Sequence, residues 1–122
     1  MSTTLQFKKN DTYLFEFSSS SPLYKYIKTS HSEGWEPISG SDIQYAIDGL
    51  CEDSALAERR INVAKRVLEK AKFYEDAWDA ANDIEEMEEV IKENQMNIDY
   101  LHIIRLLIIE CGEHDKIYIR HY

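Results

Sequence analysis

Polar and apolar positions alternate over residues 3–18 of this chain. Leu5 and Phe7 are interleaved with Gln6 and Lys8, and Tyr13, Phe15 and Phe17 with Leu14 and Glu16. A period of two is that of a strand, and Asn10 and Asp11 between the runs are turn formers, so a β-hairpin is expected. On that period Tyr13, Phe15 and Phe17 share one face. The alternation returns at residues 116–121, where Ile117 and Ile119 are interleaved with Tyr118 and Arg120. A lone hairpin is marginal in water, so this strand is expected to join it in one small antiparallel sheet. Pro37 holds the run Trp35, Glu36, Pro37, Ile38 extended, which suits a short edge strand.

Between these regions the period becomes helical. Residues 54–96 contain no proline or glycine and are rich in strong helix formers. Ala57, Ile61, Ala64, Leu68, Ala71 and Trp78 recur in steps of four, three, four, three and seven. That is the seam of a helix lying lengthwise on another helix. A break is expected at residues 80–83, because Asn82 and Glu85 have capping-box spacing. Ile84, Met87 and Ile91 then form a weaker stripe. Upstream, Ser21 and Pro22 start a short helix reaching about Thr29. Ser41 caps another helix carrying Ile43, Ala46, Ile47 and Leu50, weakened at its end by Gly49. Downstream, Asn97 is expected to cap a helix over residues 98–110, stopped by Gly112. Leu101, Ile103, Ile104, Leu106, Leu107, Ile108 and Ile109 make it apolar on nearly every side, the mark of a central buried helix.

Charge is sorted along the same stretch. Residues 58–72 hold six basic side chains against two acidic ones, a net of +4; residues 75–93 hold nine acidic against one basic, a net of −8. The second segment thus carries nearly all of the chain's net charge of −9. Asp79, Asp83, Glu86 and Glu93 fall together on an outer side if Ile84, Met87 and Ile91 face inward. Antiparallel packing of the two segments would set Arg59, Arg60, Lys65, Arg66, Lys70 and Lys72 opposite the acids.

These features exclude more chemistry than they suggest. A net negative chain lacks the basic face that direct nucleic-acid binding needs, and suits a basic protein surface instead. Gly34, Gly40, Gly49 and Gly112 stand apart, so no phosphate loop is present. Glu85, Glu88 and Glu89 lie within one turn but lack the glycine-bearing loop of a calcium site, so no metal or other cofactor is expected. Asp99, His102 and Arg105 are spaced one helical turn apart, with no serine or cysteine nucleophile beside them. They read as a hydrogen-bonded row, not an acid–base site. Cys51 and Cys111 have no metal or redox spacing and read as reduced, half-buried thiols of a cytoplasmic protein. The longest apolar run is interrupted by charges and too short for a bilayer.

The expected architecture is α+β in one domain, residues 1–122: a small antiparallel sheet of hairpin plus C-terminal strand, packed on an antiparallel helical cluster. The expected core is Phe15, Phe17, Ile47, Leu68, Trp78, Leu101, Ile104, Leu107 and Ile108. No catalytic residues are expected. The expected site is a partner-binding acidic face of Asp76, Asp79, Asp83, Glu85, Glu86, Glu89 and Glu93. Its partner would be a protein with a basic surface, such as a nuclease or another nucleic-acid-binding effector, which the face inhibits by masking. Anti-defence proteins of phages (anti-CRISPR-like) and immunity proteins for nuclease toxins share this size and charge, an analogy of composition alone. The alternative is a structural module in which the long helix pairs with its own copy as a homo-oligomer.

Overall fold

The computed structural model of the chain describes residues 4–18, 22–27, 34–110 and 117–121. Strands β1 (Thr4–Lys9) and β2 (Thr12–Ser18) form the hairpin, followed by a 3-10 turn at Pro22–Lys25. A two-residue strand β3 (Glu36–Pro37) leads to helices α1 (Gly40–Lys70) and α2 (Tyr74–Glu110), and β4 (Ile117–His121) ends the order. The strands make one antiparallel sheet in the order β2-β1-β4-β3. The α+β architecture is therefore the expected one, with β4 beside the hairpin and residues around Pro37 on the edge.

Sheet and helices share one core. Leu5, Phe7, Ile117 and Ile119 are fully buried, and Phe7 lies between Phe15 and Ile119 in the register. Ile43, Ala46, Ile47 and Leu50 of α1 and Ile98, Leu101 and Ile104 of α2 close over them, with Leu23 and Ile27 at one side. Phe17 belongs to this core, while Phe15, Leu107 and Ile108 pack against it half-buried.

One strand residue departs from strict alternation. The register shifts after Phe7, so that Phe7 faces Phe15 but Lys8 faces Tyr13, leaving Leu14 as an extra residue in β2. Such a bulge turns the strand. Tyr13 therefore leaves the face of Phe15 and Phe17 and joins Lys8 on the other side of the sheet. There its ring meets Trp35 at 5.7 Å between centroids, and Trp35 carries the Lys8 ammonium at 4.5 Å and the Arg120 guanidinium at 4.4 Å. Arg120 also donates to Gln6 Oε1 at 2.8 Å, and Gln6 donates to Glu16 at 2.8 Å. The sheet face turned away from the helices is thus covered by an indole held by two cations.

The helices begin and end elsewhere than their spacing suggested. The cap of α1 is Ser39, not Ser41: its hydroxyl accepts from the Asp42 N–H at 3.2 Å, and its own N–H donates to the Asp42 carboxylate at 3.2 Å. The helix then runs through Gly49 without ending and absorbs the start expected at residue 54. There is no break at residues 80–83. The chain reverses at residues 71–73, where Ala71 is extended. The sequence signal for this turn is charge: Lys70 closes α1, and Glu75 and Asp76 open α2, each of the sign its helix dipole favours. Asn97 caps nothing; it is buried inside α2, donating to the Glu93 carbonyl at 3.0 Å. The stop expected at Gly112, the start at Ser21 and the reach to Thr29 lie outside the described residues.

At 1.5 Å per residue the two helices are about 46 and 55 Å long, more than the sheet covers. Beyond Ser54 and Asn94 the burial is between the helices alone: Ala57, Ile61 and Ala64 of α1 and Ala80 of α2 lie outside the core cluster. Small residues along this seam let the helices approach closely, and among the described residues no third layer covers them. Trp78 and Leu68, expected in the core, are 57% and 40% exposed for that reason. The C-terminal half of α2 is not centrally buried either, since Ile103, Leu106 and Ile109 face outward.

Candidate functional site

The acidic residues of α2 divide into two groups according to what lies opposite them. Asp76, Asp79 and Asp83 border a groove of about 470 Å³ between the helices, floored by Val63, Ala64 and Ala80. Arg60 of α1 closes it, donating through Nε to one Asp83 oxygen at 2.9 Å and through Nη2 to the other. This two-point bond holds the guanidinium pKa above its usual value, with a smaller push from the Glu86 charge. Asp83 is consequently half-buried in the groove, which Asp79 also borders, so these two do not gather with Glu86 and Glu93 on an outer side. The opposition of basic and acidic segments expected from antiparallel packing is realised at this pair.

The second group faces water. Glu85, Glu86, Glu88, Glu89 and Glu93 are all exposed. Among the described residues, the carboxylates of Glu85, Glu88, Glu89 and Glu93 have no hydrogen-bond or ion-pair partner. Glu86, Glu89 and Glu93 continue into Met96, Tyr100 and Ile103 in steps of three, four, three, four and three, so they share one side of α2. That side is acidic over its first half and apolar over its second, with Met96 54% and Tyr100 37% exposed.

Two further surfaces escaped the sequence reading. At the turn between the helices, Val67, Phe73, Tyr74 and Trp78 are exposed together. Of these only Trp78 was expected in the core, and the length of the arm beyond the sheet leaves it exposed. Between β2 and α2, a cavity of about 300 Å³ is lined by Phe15, Phe17, Met96, Tyr100, Asn97, Glu16 and Glu93. The ring centroids of Phe15 and Tyr100 are 5.1 Å apart and those of Phe17 and Tyr100 are 5.8 Å apart.

The remaining candidates form no site. Asp99 accepts from Gln95 at 2.9 Å and Arg105 donates to Gln44 at 2.8 Å, so neither lies in a row with His102. Cys51 lies within α1 and is exposed, not half-buried, and Cys111 lies outside the described residues. Among the described residues no three histidine, cysteine or carboxylate side chains converge as metal ligands. No described helix is long and apolar enough to cross a membrane. No protein-family model, curated protein or solved structure matches the chain.

Proposed function

We propose that this chain is a protein-binding inhibitor that covers a basic surface of a partner with the acidic side of its helical arm. The observation that carries the reading is the contrast between the two acidic groups. Asp83 is neutralised within the fold by Arg60, whereas Glu85, Glu88, Glu89 and Glu93 stand in water without a cation among the described residues. Like charges gathered on one helix side repel by a few tenths of a kcal/mol per adjacent pair. Lysines and arginines supplied by a partner relieve that repulsion. A carboxylate row of this kind competes with phosphates for the same basic groove, which points to a nuclease or another nucleic-acid-binding effector. In this reading the protein works in the cytoplasm and needs no cofactor.

The test is capture from native lysate by the parent chain and by a variant with Glu85, Glu86, Glu89 and Glu93 changed to lysine. Each captured nucleic-acid-binding protein is then assayed for DNA or RNA binding with either chain added. The parent chain blocks binding, less so as salt rises, and the variant does not. Equal inhibition by the charge-reversed variant defeats the reading.

One observation favours a second reading, self-association. Val67, Phe73, Tyr74 and Trp78 form an exposed apolar tip of the kind that pairs with another copy. Mass measurement in solution separates the two readings, because a Phe73→Ser, Trp78→Ser variant changes mass only if the tip joins copies.

A further inference from the structure

The two edges of the sheet are protected very differently. On one side β3 is two residues long and contains Pro37, both of which discourage pairing with another chain. On the other, β2 is seven residues long without proline, and Glu16 is its single charge. The sheet ends at β2 among the described residues. The bulge at Leu14 interrupts the first half of the strand and leaves residues 15–18 in unbroken register with β1.

The cavity between β2 and α2 lies along that edge. Successive strand residues point to opposite faces. A cavity touching Phe15, Glu16 and Phe17 in a row therefore reaches the backbone edge of β2, not one face of it. Glu16 agrees with this, since its carboxylate is engaged by Gln6 on the far face. The opposite wall is α2, at the point where the acidic side gives way to Met96 and Tyr100. The cavity thus combines main-chain groups of β2 that no described strand pairs, three aromatic rings and the Glu93 carboxylate.

We propose that β2 takes an extended, positively charged segment of the partner as an added strand. The segment's main chain pairs with β2, and one of its arginine or lysine side chains enters the cavity of Phe15, Phe17 and Tyr100 to meet Glu93. A strand satisfies the open backbone groups, as a helix cannot. A cation satisfies both the ring faces and the carboxylate, as an apolar side chain cannot. This inference rests on the partner-masking reading and names the form of the segment recognised.

The probe is a blocked heptapeptide of alternating valine and arginine, titrated into the isotopically labelled full chain. Two controls replace arginine with citrulline, or carry N-methyl groups on alternate residues. The arginine peptide slows amide exchange in residues 15–18 and shifts the Phe15 and Tyr100 ring resonances. The citrulline peptide binds about tenfold more weakly, and the N-methylated one does not protect the strand. Glu93→Gln in the protein removes the preference for arginine while β2 protection remains. Equal binding of the arginine and citrulline peptides, or binding without protection of β2, overturns the inference. If β2 is never protected but charge reversal still abolishes inhibition, the added strand falls and the masking role stands. If the peptide docks as described and the charge-reversed chain still inhibits, the masking role falls and the strand site stands.

Discussion

The ring of Tyr26 occupies the space that a side chain at residue 49 would need: a Cβ at Gly49 would overlap Tyr26 Cε1. The same tyrosine donates its hydroxyl to Asp53 at 2.5 Å, one helical turn further along α1. Glycine normally weakens a helix interior by up to about 1 kcal/mol relative to alanine. Here it leaves room for the Tyr26 ring to lie against α1, just beyond the 3-10 turn. Gly49→Ala should therefore destabilise the fold, by about 1–3 kcal/mol, in spite of its helix propensity. A denaturation midpoint that rises on this substitution would show that the ring moves aside freely.

Tyr26 also gives the stability a pH dependence of defined sign. Burial and the hydrogen bond to Asp53 raise its pKa above the usual value of 10.0. The folded chain keeps this proton where the unfolded chain loses it. The contribution is complete below pH 10.0 and is lost as pH rises through the folded value. Lys25, raised by Tyr26 and by the Asp53 charge, acts in the same direction. Unfolding followed from neutral to strongly alkaline pH should show a shallower loss in Tyr26→Phe than in the parent chain.

Asn94 and Ser54 set the register of the helical pair. Asn94 is 2% exposed, and its Nδ2 donates to the Ser54 hydroxyl at 3.2 Å. A polar contact amid apolar seam residues penalises every alignment that would leave it unpaired. Ser54→Ala should cost about 1–3 kcal/mol, because it strands the amide, while Ser54→Ala with Asn94→Leu should cost less than either single change. A double-mutant cycle measures the difference, and additive costs would remove the register role.

Leu101 and Trp78 separate the core from the arm. Leu101 is fully buried, and Leu101→Ala should cost about 2–5 kcal/mol. Trp78→Ala, at 57% exposure, should move stability by no more than about 0.5 kcal/mol. Chemical denaturation of both variants checks the pair, and a large loss for Trp78→Ala would mean that something covers the tip.

Trp78 also shows where reading the chain reached its limit. Its step of seven from Ala71 put it on a seam, but a helical period cannot tell whether the helix has turned back in between. The turn at residues 71–73 contains no proline or glycine, and only the change of charge sign marks it. Phe17, Ile47, Leu101 and Ile104 were legible because period and burial agree wherever the sheet lies opposite. Tyr13 lies off the face of Phe15 and Phe17 because one extra residue, Leu14, puts the side chains before it out of phase with those after it, and a bulge has no composition of its own. For the acidic face, the composition of residues 75–93 was legible. The diversion of Asp83 to Arg60 was not, since it depends on which residues the turn brings opposite. The aromatic cavity joins β2 to α2 across more than seventy positions, a distance no local pattern spans.

The central pairing of β1 with β4 also orders events during synthesis. Phe7 pairs with Ile119, 112 positions away, so the middle of the sheet cannot close until β4 has been translated. The helical hairpin needs no such wait, because its two halves follow one another through a short turn. Local contacts form sooner than distant ones. The nascent protein therefore passes through a stage in which α1 and α2 are paired while Ile43, Leu50, Leu101 and Ile104 have only the β1–β2 hairpin available and still lack β4. Until Ile117 and Ile119 arrive, those four side chains are what a chaperone would recognise on the growing polypeptide.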